Sequence, residues 1–137
     1  GLTLGRIMGG TATPLPEGAA MDEILRYANH ARSNQFPVVD SNGSLVGMIR
    51  LRDLEELAYD PHAASLVIAG DLTSLPTDEI ALPADSTLEE AAAFFTSFQG
   101  NNLVVIESKE KPQYLGMVER ANLLRLVSQL EQSRADS

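Results

Sequence analysis

Apolar and polar positions follow two periods along this chain, and each pattern occurs twice. Met21, Ile24, Leu25 and Ala28 recur at the spacing that places four side chains on one helical face, as do Leu88, Ala91, Ala92 and Phe95. These stretches predict helices near 20–32 and 87–99. Each is followed by a short apolar run, Phe36-Pro37-Val38-Val39 and Leu103-Val104-Val105-Ile106, too short for a helix and rich in β-branched residues. A second strand follows in each case, Leu45 to Arg50 and Tyr114 to Glu119. These run into helices carried by Leu51, Leu54 and Leu57, and by Leu123, Leu126, Val127 and Leu130.

The punctuation between the elements agrees. Asp40-Ser41-Asn42-Gly43 predicts a tight turn, since Asn-Gly tolerates the positive φ that short hairpins need. The second hairpin uses a longer loop, Ser108-Lys109-Glu110-Lys111-Pro112. Ser86 and Glu89 have capping-box spacing at the head of one helix. Tyr59 to Leu66, with Asp60-Pro61 at its start, reads as a bridge between halves, and Ser133 to Ser137 as a frayed end.

The two halves match residue by residue. Residues 16 to 39 slide onto 83 to 106 at an offset of 67 (83 − 16), which pairs Glu23 with Glu90 and Asn34 with Asn101. After a two-residue insertion in the second hairpin loop the offset becomes 69 (116 − 47), pairing Gly47 with Gly116 and Leu54 with Leu123. Upstream, Gly5 pairs with Gly70 and Ile7 with Leu72. The expected architecture is α/β (α+β), two strand-helix-strand-strand-helix repeats at 1–66 and 67–137. A unit of roughly 60 residues buries only about 60% of its unfolded surface, so the repeats are expected to stack.

Composition narrows the function. A formal net charge of −9 repels nucleic acid and anionic membranes at long range. Without cysteine, disulfides and thiolate metal sites are impossible, which suits a reducing cytoplasm. His30 and His62 have no ligand-spaced neighbours, and Met8-Gly9-Gly10-Thr11 lacks the Lys of a phosphate-binding loop. The acidic pairs Asp22-Glu23, Glu55-Glu56, Asp78-Glu79 and Glu89-Glu90 fit helix starts and solvated faces, and no nucleophile accompanies them. Phe94, Phe95 and Phe98 read as core or a subunit contact. No enzymatic constellation is expected. No apolar run reaches the ~20 residues of a membrane span, and a chain opening on Gly1 rather than methionine suggests a piece of a longer protein.

The leader Thr3-Leu4-Gly5-Arg6-Ile7-Met8, the segment Phe36-Pro37-Val38-Val39-Asp40, and Leu45-Val46-Gly47-Met48-Ile49 running into Arg52-Asp53-Leu54 resemble, in order and duplication, a tandem CBS (cystathionine β-synthase) pair, or Bateman module. The resemblance covers almost the whole chain. It implies a pseudo-two-fold disc of CBS repeats packed through their small sheets, with two clefts that in this family often hold AMP, ADP, ATP or S-adenosylmethionine. Ligand-binding copies carry Gly, an apolar residue, any residue, Ser/Thr, two of any kind, then Asp. The Asp accepts from ribose hydroxyls, and the hydroxyl residue meets phosphate.

The first copy reads Gly47-Met48-Ile49-Arg50-Leu51-Arg52-Asp53, so Asp53 matches while Arg50 replaces the hydroxyl. The second reads Gly116-Met117-Val118-Glu119-Arg120-Ala121-Asn122, departing at both polar positions. A carboxylate about 5 Å from a phosphate costs on the order of 3 kcal/mol at an effective dielectric near 20, so Glu119 opposes phosphate there. The cleft served by Asp53 is therefore the expected nucleotide site, with Arg50 and Arg52 meeting phosphate, and Phe36, Pro37 and Val38 lining the base by resemblance. Asn122 offers a weaker ribose partner. Helix capping alone accounts equally for Asp53.

Leu51-Arg52-Asp53-Leu54 to Asp60-Pro61, then Leu66 to Leu72, resembles CBS pairs attached to bacterial CLC-family chloride channels and transporters. It implies a cytoplasmic regulatory domain of an inner-membrane protein, joined to a membrane channel domain in the same longer chain. Homodimerisation is expected through helix faces carrying Leu25, Ala28, and Phe95 or Phe98. The alternatives are a dimerisation scaffold that binds nothing small, and a CBS module of an enzyme or another transporter.

Overall fold

The computed structural model describes residues 2–8 and 12–136, so Gly9, Gly10 and Thr11 of the discounted glycine loop lie outside the described residues. A helical turn α1 (Leu4–Ile7) precedes the first repeat, β1 (Leu15–Pro16), α2 (Met21–His30), β2 (Gln35–Val39), β3 (Leu45–Arg50) and α3 (Leu51–Leu57). A one-turn helix α4 (Pro61–Ala64) and a 3₁₀ turn (Ala69–Leu72) lead to the second, β4 (Ala81–Pro83), α5 (Leu88–Ser97), β5 (Asn102–Ile106), β6 (Tyr114–Glu119) and α6 (Arg120–Ala135). Each repeat forms a three-stranded sheet with its short first strand parallel to the central one and the hairpin antiparallel. The registers superpose: Leu15 faces Val38 as Leu82 faces Val105, and both central strands slip at one place, Val38/Val39 and Val105/Ile106.

Local chemistry accounts for the boundaries. Gly43 takes φ +82°, the one positive φ among the described residues, while the Asp40 carboxylate accepts from the N–H groups of Asn42 and Ser44 at 2.9 and 3.0 Å. Asp60 caps α4, accepting from Ala63 N–H at 3.1 Å with Pro61 in the first turn. Two local expectations are corrected. The cap of α5 is Thr87, whose hydroxyl accepts from Glu90 N–H at 3.1 Å, because Ser86 is buried and its carbonyl accepts from Leu4 N–H at 3.0 Å. The end of the chain is not frayed from Ser133: α6 runs to Ala135, and Arg134 reaches Glu89 at 3.7 Å.

The leaders are exchanged. Leu4 is fully buried with Ile80, Leu88, Leu103 and Val105 of the second repeat, while Ala69 is fully buried with Leu15, Ala19 and Val38 of the first. Gly5 N–H donates to Ala84 O at 2.9 Å, and Gly70 N–H donates to Glu17 O at 2.8 Å, the same bond made in opposite directions between the repeats. Each half of the chain therefore lends its opening turn to the other half's core. The hairpin ends are also laced, Leu45 N–H to Pro112 O at 2.8 Å and Tyr114 N–H to Gly43 O at 3.0 Å. Phe95 and Phe98, expected on a dimer face, are buried in the second core, whereas Leu25 stays exposed.

Leu4→Ala should lower the unfolding free energy by about 2–5 kcal/mol, as for other fully buried leucines, in a single urea transition. A loss under about 1 kcal/mol would contradict a shared core.

Candidate functional site

Two clefts straddle the seam, one on each side of the pseudo-two-fold axis. The larger, about 1050 Å³, opens between the end of α2 (Tyr27, His30, Arg32) and the β6–α6 corner of the second repeat (Val118, Glu119, Asn122). Phe36 forms part of its wall, and Ala12 and Thr13 form part of its lining. The smaller, about 850 Å³, opens between the end of α5 (Phe94, Phe98, Gln99) and the β3–α3 corner of the first repeat (Met48, Arg50, Arg52). Ser74, Leu75, Asp78 and Glu79 complete it. Tyr27 and Phe94, or Arg32 and Gln99, stand 67 residues apart (94 − 27), so the clefts are copies of one design.

The wall between them is polar and was not read from sequence. Gln35 opens β2, is buried, and accepts at Oε1 from Asn101 N–H and Asn102 N–H at 2.8 and 2.9 Å. Asn102, its counterpart in β5, donates from Nδ2 to Ser33 Oγ at 3.0 Å. A polar residue heading each apolar strand was the available signal. The approach is close: a Cβ on Gly100 would lie 2.3 Å from Gln35 Nε2.

The seven predicted site residues do not converge. Arg50 and Arg52 line the smaller cleft, and Phe36 and Asn122 line the larger. Pro37 and Val38 are buried in the middle of β2, where a central strand is covered on both faces, and line neither cleft. Asp53 is engaged locally. Its Oδ2 accepts from Arg50 Nε at 3.1 Å and from Arg50 N–H at 3.3 Å, and its Oδ1 accepts from Arg50 Nη2 at 3.2 Å. Asp53 thus caps α3 and neutralises the guanidinium beside it. In the second repeat that corner is rebuilt. Arg120, opposite Leu51 of the first copy, donates to the carbonyls of Phe98 and Gly100 and lies 4.9 Å from the Phe95 ring centre. Glu119 and Asn122 are left exposed.

Free charge differs as well. Glu23 and Glu119 line the larger cleft, and Asp78 and Glu79 the smaller. Against them the larger cleft sets Arg32 and Arg26, with Arg26 in only an exposed 3.7 Å pair to Asp22. The smaller sets Arg52 and an Arg50 already paired. Tyr27 packs edge-on to Phe36 at 5.4 Å and donates its hydroxyl to Thr13 O at 2.5 Å, while Tyr114 donates to Ala12 O at 2.8 Å. Burial raises both phenols, Tyr114 to about 12 with help from the neighbouring Tyr27.

Residues 5–59 match the CBS domain family. Most of the chain superposes on CBS-pair structures: CBSX2 in complex with AMP at TM-score 0.73 and 23% identity, covering 96% of this chain and 99% of that one. The CBS pair of a protein assigned as a Mg²⁺ transporter of Shewanella oneidensis gives TM-score 0.77 and 22% identity over 94% and 71% of the two chains. The fold is therefore that of a CBS-domain pair. Among curated proteins, Rip3 of Mycobacterium tuberculosis, named as a zinc metalloprotease, is 36% identical over 73 residues, 52% of this chain. That stretch is 19% of Rip3, so the chain spans about a fifth of the length of the curated relatives it matches.

Gln35→Leu should destabilise the fold by about 2–4 kcal/mol in urea, because two N–H donors lose their acceptor; a neutral outcome would show that the seam does not depend on it. A raised phenol contributes stability in full below its ordinary value of 10.0, and loses it as pH climbs towards about 12. Tyr114→Phe should therefore remove the last tyrosinate step in an ultraviolet titration, and an unchanged last step would refute the assignment.

Proposed function

We propose that this chain is a regulatory CBS-pair module, rather than a catalytic one, whose larger cleft takes an adenine nucleotide. The observation that carries the reading is that both clefts are shared between repeats. An occupant touches both halves and stabilises the arrangement it binds by its differential affinity. An AMP-bound structure of the same fold supports the ligand class. The larger cleft is favoured on geometry. Tyr27 and Phe36 supply an aromatic wall, and among the described residues the exposed Asn122 has no intramolecular partner and Arg32 no ion pair. Filling the smaller cleft through Asp53 requires sharing a carboxylate already held by Arg50. The motif match at Asp53 keeps that cleft as the second reading.

The module is proposed to act within a longer protein, on the cytoplasmic side of a membrane. The identity with Rip3 supports an enzyme parent of the metalloprotease kind. A CLC-type channel parent rests on the linker, Leu51 to Leu54 and Leu66 to Leu72. No helix among the described residues is long and apolar enough to cross a membrane. The exposed Leu25 face of α2 is the proposed homodimer contact.

AMP should raise the melting temperature, by an amount equivalent to about 2.7 kcal/mol at a hundredfold excess over Kd. In calorimetry, Asn122→Ala and Arg32→Ala should each weaken binding about tenfold, the loss of roughly one hydrogen bond or ion pair to the ligand, while Arg52→Ala leaves it unchanged. The reverse ranking moves the site to the smaller cleft, and silence at millimolar AMP removes the nucleotide reading.

A further inference from the structure

The larger cleft has room for more phosphate than its charge can hold. Its volume of about 1050 Å³ is at the top of the range for small-molecule sites, so size admits a nucleoside triphosphate as readily as a monophosphate. Charge is the narrower limit. Glu23, Arg26, Tyr27 and His30 recur along α2 at the i, i+3, i+4, i+7 spacing of one helical face, and all four line the cleft. Arg26 is paired at 3.7 Å with Asp22 and follows Glu23 by three residues, so two carboxylates compete for its charge. His30 donates a ring N–H to the Arg26 carbonyl at 2.9 Å.

The opposite wall adds another acid. Glu119 stands at the head of α6, exposed and without a capping bond, three residues before Asn122. An occupant that reaches the Asn122 amide therefore has the Glu119 carboxylate within one helical turn, about 4.5 Å along the axis. Among the described residues lining the cleft, this leaves Arg32 as the cation with no ion pair. A monophosphate brings about two negative charges at pH 7, and each further phosphoryl group about one more. Arg32 and a shared Arg26 balance the first phosphate. No other arginine or lysine lines the cleft to balance the next, and a chain lengthened towards α6 meets Glu119 while one lengthened along α2 meets Glu23.

We infer that the larger cleft sorts nucleotides by phosphate number, taking AMP over ADP and ADP over ATP, and that Glu23 and Glu119 set this order. The order rests on the nucleotide reading of the same cleft, and it reconciles that reading with an acid at the corner. Arg32 keeps the first phosphate, and the two carboxylates exclude longer chains. Exclusion by exposed charge has a signature that exclusion by shape lacks. Salt screens it, since the Debye length falls from about 10 Å at 0.1 M to about 3 Å at 1 M.

Calorimetry on the whole chain with AMP, ADP and ATP, with magnesium chelated, tests the order. At low salt the affinity should fall about fivefold with each added phosphoryl group, the upper end of what exposed charges contribute, so that AMP binds about twentyfold more tightly than ATP. At about 1 M salt the preference should shrink to about threefold. Glu23→Gln/Glu119→Gln changes two exposed side chains and leaves the core untouched. It should tighten ATP about tenfold at low salt and AMP by less than about threefold. ATP binding the wild type as tightly as AMP overturns the sorting and leaves the nucleotide reading standing. So does a preference that persists in full at 1 M salt or in the double variant. If none of the three nucleotides binds, the nucleotide reading fails and the sorting falls with it.

Discussion

Everything in this molecule depends on an exchange of short apolar turns between its halves. Leu4 completes the core under the second sheet and Ala69 the core under the first, each fixed by matching hydrogen bonds at Ala84 and Glu17. A three-stranded sheet with two helices is too small to exclude water from one face by itself, and the borrowed turn closes that gap. Because the borrowing is reciprocal, neither half can leave without opening both cores. The seam is then close enough for Gln35 to bridge to Asn101 and Asn102, and for Gly100 to leave no room for a Cβ.

The clefts are a consequence of that seam. Each lies where the strand-to-helix corner of one repeat meets the helix end of the other, so no occupant can touch one half alone. The two corners have diverged in opposite senses. The first spends its charge internally, with Arg50 and Asp53 joined in a capping pair of limited exposure. The second turns its arginine, Arg120, onto the carbonyls at the end of α5 and leaves Glu119 and Asn122 facing outward. Internal pairing makes a corner rigid and electrically quiet, whereas the exposed Asn122 amide across the larger cleft from Arg32 makes the other receptive. The hydroxyls of Tyr27 and Tyr114 on the carbonyls of Thr13 and Ala12 add a second asymmetry on the same side.

The elements, their order and their doubling were legible in the sequence, because they follow from local periods and from self-similarity. The strands Leu45–Arg50 and Tyr114–Glu119 and the Asn42-Gly43 turn occur where spacing and turn chemistry put them. The candidate site was less legible. Phe36 and Arg50 are neighbours on paired strands, yet they serve opposite clefts, since adjacent side chains of a sheet point to alternating faces. Pro37 and Val38 point to opposite faces and are both buried, because the central strand is covered on each side.

What only the tertiary structure decided is which half each segment serves. Composition cannot show that Leu4 belongs to the second core, that Gln35 bridges the seam, or that the hydroxyls of Tyr27 and Tyr114 bond adjacent carbonyls. Those facts depend on contacts between residues up to about a hundred positions apart, whose stability comes from burial and paired backbone groups rather than from any local preference. The sequence by itself determined two copies of one unit and the residue types at each corner. Their packing across a shared axis decided that the copies make two unequal clefts.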